Sequence, residues 1–218
     1  MDNKLLTTAI KKLRSSKKRN FDQSVDIIIN ILQIDLKNPE HRVDTSALLP
    51  HGIGRPVKIC GLVDKELSDA SKKILDHTIL KSDFSNLDKK NIKKLTEDYD
   101  YFIAQSTLMV DIAKVFGKIL GSRGKMPNPK LGCVVPPTAK LDIVKDRLKK
   151  TVRLQIKKEL IIKSVIGKES MSDDMLAQNA ISIIEAITQA LPHNKEDIGS
   201  IFLKFTMSNP VLVGEENE

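Results

Sequence analysis

The chain has 218 residues and only two cysteines. Cys60 and Cys133 lie far apart, with no CxxC pair. That excludes a disulfide framework and a cysteine-built zinc site, and it fits a reducing interior. The histidines, His41, His51, His77 and His193, are scattered without metal-ligand spacing, so neither a metal nor a cofactor is expected. No apolar run approaches the ~20 residues needed to cross a bilayer. The opening stretch "MDNKLLTTAIKKLRSSKKRN" has no continuous apolar core of the kind a signal peptide carries. A cytoplasmic protein with no membrane partner is expected.

Catalytic and nucleotide-binding patterns are also missing. A phosphate-cradling P-loop needs G-x-x-x-x-G-K-[ST]. Around Gly124-Lys125 the first position is Ile119 and the last is Met126. No GxGxxG follows a strand. Asp44, Ser46 and His51 form a triad in composition only, because no nucleophile elbow surrounds Ser46. The chain does not read as an enzyme, although an α/β enzyme remains the contrasting class.

What is present is positive charge. The formal net charge is +8, a balance that fits a polyanionic partner, most often nucleic acid. Leu5, Leu6, Ala9, Ile10 and Leu13 recur at helical spacing and lead into Arg14, Lys17, Lys18 and Arg19. This cationic end suits the helix dipole and is open to phosphate contact. "SVDIIINILQI", Ser24 to Ile34, alternates as a strand. "DLKNP" turns the chain at Asp35–Pro39, and "RVDTSALLP" predicts a second strand.

After the punctuation "HGIGRP", His51 to Pro56, the rhythm changes. Strands in "VKICGLV", "TIL" and "YFIAQ" alternate with helices in "KELSDASKKILDH", "NLDKKNIKKLTEDY", "TLMVDIAKVFGKIL" and "AKLDIVKDRLKK". That order predicts crossover units on an open sheet. From Thr151 the rhythm changes again. "TVRLQI" and "LIIKSVI" predict a hairpin around Lys157-Lys158-Glu159. Ser172 caps a long helix with the stripe Leu176, Ala180, Ile183, Ile184, Ile187 and Leu191. "SIFLKFTM" predicts a last strand with Ile201, Leu203, Phe205 and Met207 on one face, and the acidic tail "GEENE" follows. The expected fold class is α/β (α+β). Residues 1–55 and 151–218 form a split α+β domain, and 56–150 form an inserted Rossmann-like three-layer α/β domain.

The run "KILGSRGKMPNPKLG", Lys118 to Gly132, is the most unusual in the chain. Gly121-Ser122-Arg123-Gly124 matches the GxxG loop of a KH-type single-strand RNA binder. Pro127 and Pro129, however, stand where that fold needs a second helix. The structural reading is a helix ended by a left-handed Gly121, then a semi-rigid loop exposing Arg123, Lys125 and Lys130.

"ILGSRGKMPNPKLG" closely resembles the signature of the first large-subunit ribosomal protein, the L-one family of the mobile ribosomal stalk. "RNFDQSVDIIINILQIDLKNPEHRVD", "LLPHGIGRPVKI" and "FLKFTMSNPVLV" resemble, in order, the family's archaeal-type N-terminal strand region, its hinge and its C-terminal strand. The resemblance implies a non-enzymatic protein with two domains, a monomer when free of the ribosome. The domain made of both termini would grip folded large-subunit rRNA. It also implies contact with exit-site tRNA as deacylated tRNA leaves, and repression through binding the protein's own mRNA.

Carried over to this chain, the RNA-contacting residues are Phe21, Ser24 and Asp26 on one segment and Thr206, Met207 and Ser208 on the other. Lys163 and Lys168, on or near the second hairpin strand, are expected to be further phosphate contacts. Relatives usually carry Thr-Met-Gly-Pro where this chain has Thr206-Met207-Ser208-Asn209, with Pro210 displaced by one position. Short polar side chains suit the wide minor groove of A-form RNA and its 2′-hydroxyls. By residue type alone, Phe21 and Met207 would be core fillers. The loop residues Gly121, Arg123, Gly124, Lys125, Pro127 and Pro129 are expected to make secondary contacts or to steady the inserted domain.

Overall fold

In a computed structural model, residues 3–32, 34, 43–156, 159–192 and 194–214 are described. The predicted turn at Asp35–Pro39, Lys157 and Lys158, His41, His193 and the last four residues of the acidic tail lie outside them. The chain divides into two compact units, Met1–Arg55 with Lys150–Glu218, and Pro56–Lys149.

The first unit is built on an antiparallel sheet. Its strands are β1 (Ser24–Ile31), β8 (Ile161–Lys168), β9 (Ile198–Phe205) and β10 (Val211–Leu212), in the order β10-β9-β1-β8. Along β1, Val25, Ile27, Ile29 and Ile31 are buried while the residues between them are half-exposed. One face therefore carries the core and the other is open, as period-2 alternation requires. Helices α1 (Asn3–Arg14) and α6 (Asp173–Ala190) pack on each other and on this sheet. Ser172 caps α6 by accepting the Met175 N–H at 3.4 Å. The predicted α6 stripe, Leu176 through Leu191, is buried. Gly167 of β8 lies so close to α6 that a Cβ there would sit 2.6 Å from Leu176. That approach is what keeps the position side-chain-free.

Among the described residues, the two strands expected to form a hairpin from Thr151 onward do not pair with each other. β7 (Thr151–Gln155) pairs instead with β2 (Asp44–Leu48) in a separate two-stranded sheet, and β8 pairs with β1. Alternation fixes which side chains face the core but not which strand is the partner. Buried Asn179 ties the end of this unit together. Its Nδ2 donates to the Gly52 and Ile166 carbonyls at 2.9 and 2.8 Å, and its Oδ1 accepts the His51 N–H at 3.2 Å.

The second unit holds a parallel sheet in the order β4-β3-β5-β6. The strands are β3 (Ile59–Val63), β4 (His77–Leu80), β5 (Tyr101–Gln105) and β6 (Val134–Val135). The helices are α2 (Lys65–Ile74), α3 (Lys89–Asp98), α4 (Met109–Ser122) and α5 (Leu141–Lys150). Cys60, Leu62, Phe102 and Ala104 point to one face and pack with Ile92 of α3 and with Ile112, Phe116 and Leu120 of α4. On the other face, Gly61 lies against Ser71 and Leu75 beside α2. Lys145 of α5 donates there to the Ile74 carbonyl. Helices thus cover both faces of a parallel sheet, which makes a three-layer α/β unit.

Candidate nucleic-acid interface

The two segments singled out by the resemblance meet at one end of the open sheet. Pairing of β1 with β9 runs up to Val25 opposite Phe205. Beyond it the Thr206 N–H donates to the Ser24 carbonyl at 3.1 Å, and the Ser24 N–H donates back to Thr206 Oγ1 at 3.2 Å. The strand stops at Phe205, and Thr206 and Met207 lie in a turn rather than on the strand. Two expectations therefore fail. Met207 does not share the buried face of Ile201, Leu203 and Phe205 but is 57% exposed. Thr206, expected on the strand "SIFLKFTM", lies past its end, and its hydroxyl accepts the Ser24 N–H.

Ser208, at the place usual for glycine, closes that turn. Its Oγ accepts the Phe205 N–H and donates to the Asn209 carbonyl, both at 2.9 Å. Phe21, expected from its type to be a core aromatic, is 52% exposed. Large apolar side chains left in water beside polar ones are a mark of binding surfaces.

The open face of the sheet continues this surface. Asp26 lies opposite Lys204 on β9 and Val165 on β8, and Ile28 opposite Phe202 and Lys163. Burial pushes the Asp26 carboxyl above its ordinary value, and the Lys204 charge opposes that shift. Lys163 is exposed. Lys168 donates from Nζ to the Asp22 carbonyl at 3.1 Å, so its charge sits beside the Phe21 segment. Arg14 is withdrawn from the cationic end of α1. It holds Asp173 at 2.5 Å and the Glu169 and Met171 carbonyls at 2.8 and 2.5 Å, while Lys17, Lys18 and Arg19 remain exposed.

Two residues here carry no signal in the sequence. Lys204 is one more lysine in a strand. Gln23 lies between two polar neighbours yet is only 2% exposed. Strand register is what would have placed Lys204 beside Asp26.

The glycine-rich loop of the second unit behaves differently. α4 runs through Gly121 to Ser122, and the left-handed residue is Gly124, at φ 68°. Arg123 pairs with Glu97 at 2.8 Å. Lys125 Nζ donates to the Thr96 and Tyr99 carbonyls at 2.7 and 2.8 Å, capping the C-terminal end of α3. These cations close a helix end rather than stand free. Pro127 is buried, and Pro129 opens a single 3₁₀ turn, Pro129–Leu131, that leads to β6. The second helix of a KH clamp does not follow. Of the expected loop cations, Arg123 and Lys130 are exposed and Lys125 is half-buried.

The nominal triad also comes apart. Asp44 is held by Arg153 through bonds of 2.8 and 2.7 Å, and His51 Nε2 contacts Gln178 Oε1 at 2.5 Å. Among the described residues no group of acidic, histidine and cysteine side chains could hold a metal, and no helix is long and apolar enough to cross a membrane.

An aromatic and a thioether in water, short polar groups between them and lysines on the adjoining strands make a surface suited to sugar edges and phosphates. The ribosomal protein L1p/L10e family matches residues 13–209. The large ribosomal subunit protein uL1 of Nanoarchaeum equitans is 37% identical over 208 residues, covering 94% of this chain and 97% of the relative. That of Pyrococcus horikoshii is 36% identical over 216 residues, 97% and 96% of the two chains. That of Methanobrevibacter smithii is 39% identical over 209 residues, 94% and 96%. The chain belongs to the ribosomal protein L1p/L10e family, a family of ribosomal proteins and not of enzymes.

Proposed function

We propose that this protein sits in the mobile stalk of the large ribosomal subunit in the cytoplasm and holds a folded segment of large-subunit rRNA on its first unit. The supporting observation is the exposure of Phe21 and Met207 at one end of the sheet, where Ser24 and Thr206 are joined by backbone and hydroxyl bonds. Ser24, Asp26, Thr206 and Ser208 would meet ribose hydroxyls. Phe21 and Met207 would pack on sugar or base edges, and Lys163, Lys168 and Lys204 would meet phosphates. A carboxylate accepts well from a 2′-hydroxyl, which gives Asp26 a use at an anionic interface. With rRNA held there, the protein moves with the stalk and assists release of deacylated tRNA from the exit site.

A surface that reads RNA by shape does not distinguish rRNA from an mRNA segment of the same fold. Repression of the protein's own message follows from that, with the two RNAs competing for one site. The test is binding of an rRNA fragment by the first unit alone, residues 1–54 joined to 152–218 by a short Gly-Ser linker. The two chain crossings pair near the join, where the Leu49 N–H donates to the Lys150 carbonyl at 2.7 Å. The unit should keep most of the whole chain's affinity, with a log–log salt slope of about −3 for roughly 4 phosphate contacts. A folded unit that does not bind, or a flat salt response, would move the grip elsewhere.

A further inference from the structure

We propose that Gln23 is the positioning residue of the RNA surface, a buried amide clamp that locks the Phe21–Ser24 and Thr206–Ser208 segments into one platform before RNA arrives. The inference rests on reading that surface as the rRNA grip.

Gln23 joins three stretches of chain that are remote in sequence. Its Oε1 accepts the Met207 N–H at 3.1 Å. Its Nε2 donates to Glu169 Oε2 at 3.1 Å. Its backbone carbonyl accepts the Glu169 N–H at 2.8 Å. Glu169 is fixed in turn by Arg14, whose Nη1 donates to the Glu169 carbonyl at 2.8 Å. A line of bonds thus runs from the end of α1, through the loop between β8 and α6, to the exposed Met207.

The sheet cannot do this alone, because the β1–β9 register ends at Val25 and Phe205. Met207 lies two residues past that point. The Thr206 N–H and the Ser208 hydroxyl hold the two flanks of the turn, but Met207 between them, if left free, would have to be ordered at the moment of binding, and that entropy would be subtracted from affinity. The chemistry requires a carboxamide. The site needs one acceptor, for Met207 N–H, and one donor, for the Glu169 carboxylate. Glutamate supplies only acceptors and leucine supplies neither.

The experiment uses the full chain and an rRNA fragment of the stalk base. Gln23→Glu sets two carboxylates against each other and should weaken binding about ten-fold or more. The exchange Gln23→Glu with Glu169→Gln restores one donor and one acceptor to each contact with the net charge unchanged, and it should recover affinity to within about three-fold. Because Gln23 touches no phosphate, the salt slope should stay the same in both variants while the affinity at fixed salt moves. Amide exchange should show Met207 N–H losing protection in the single variant while Ile27 and Leu203, in the sheet core, keep theirs.

Wild-type-like binding by Gln23→Glu, failure of the exchange to rescue, or a shallower salt slope would each overturn the proposal. A wild-type chain that does not bind the fragment overturns the RNA reading itself and the proposal with it. Loss of Met207 protection in that case would leave only a structural clamp.

Discussion

Replacing Lys125 by methionine separates the two roles open to the glycine-rich loop. Methionine keeps most of the apolar stem and removes the ammonium. The Nζ of Lys125 donates to two carbonyls at the end of α3, Thr96 at 2.7 Å and Tyr99 at 2.8 Å. Neither is served by the helix ladder at that point, since the Asp100 N–H turns away to the Lys58 carbonyl. Hydrogen bonds from a charged donor contribute roughly 1.5–3 kcal/mol, and a cation at a helix C-terminus adds roughly 0.3–1 kcal/mol. The site is only partly buried, so we take the lower end for the pair together, a loss of about 2 kcal/mol. For a unit of this size that lowers the melting temperature by about 8–16 °C.

The probe is intrinsic. The chain has two tyrosines and no tryptophan, and Tyr99 and Tyr101 both belong to the second unit. Tyrosine fluorescence on heating therefore follows that unit alone. Arg123→Ala is the control. It breaks an exposed pair with Glu97, which contributes under about 1 kcal/mol. Binding of the rRNA fragment, measured well below the transition, should change less than about two-fold for either variant. An unshifted tyrosine melt together with a ten-fold loss of RNA affinity in Lys125→Met would refute this account and return the loop to RNA contact.

Asp26→Asn should trade binding for stability. Burial raises the Asp26 carboxyl in the folded state, so the folded chain holds that proton more tightly than the unfolded chain. The resulting stabilisation is complete below the ordinary carboxylate value and is lost as pH rises through the folded one. At neutral pH the asparagine variant should melt at or above the wild-type temperature, with the advantage shrinking as pH falls through the carboxyl's titration. Its rRNA affinity should drop about three- to ten-fold, because a neutral amide is the weaker acceptor; a destabilised variant at neutral pH would contradict the sign. The thiols give a further check. Cys60 and Cys133 are buried, and burial pushes the Cys60 thiol up to about 12, so a disulfide reagent at mildly alkaline pH should label the native chain only as fast as the second unit opens, and faster in Lys125→Met.

What the sequence makes legible follows from what each interaction demands of neighbouring residues. Val25, Ile27, Ile29 and Ile31 announce a strand with one buried face, because burial of one face imposes period 2. Ser172 with Asp173 and Asp174 announces a helix start, because the orphan N–H groups lie within one turn. The partner of β7 is not legible, since β2 lies more than a hundred residues earlier in the chain. Neither is Gln23, whose three bonds reach across 146 and 184 positions. The outward turn of Phe21 and Met207 contradicts their residue types, and only the family resemblance pointed to it. Cations are the hardest to read, because a charge serves water, a polyanion or a backbone carbonyl with the same side chain. Arg14, Arg123, Lys125, Lys145 and Arg153 are all engaged within the fold. The net charge of +8 therefore says little about the number of phosphates met. That number has to be counted on the sheet face, from Lys163, Lys168 and Lys204, which with one contact from the exposed Lys17–Arg19 run makes roughly four. This is why a salt slope of only about −3 is the value expected for this protein.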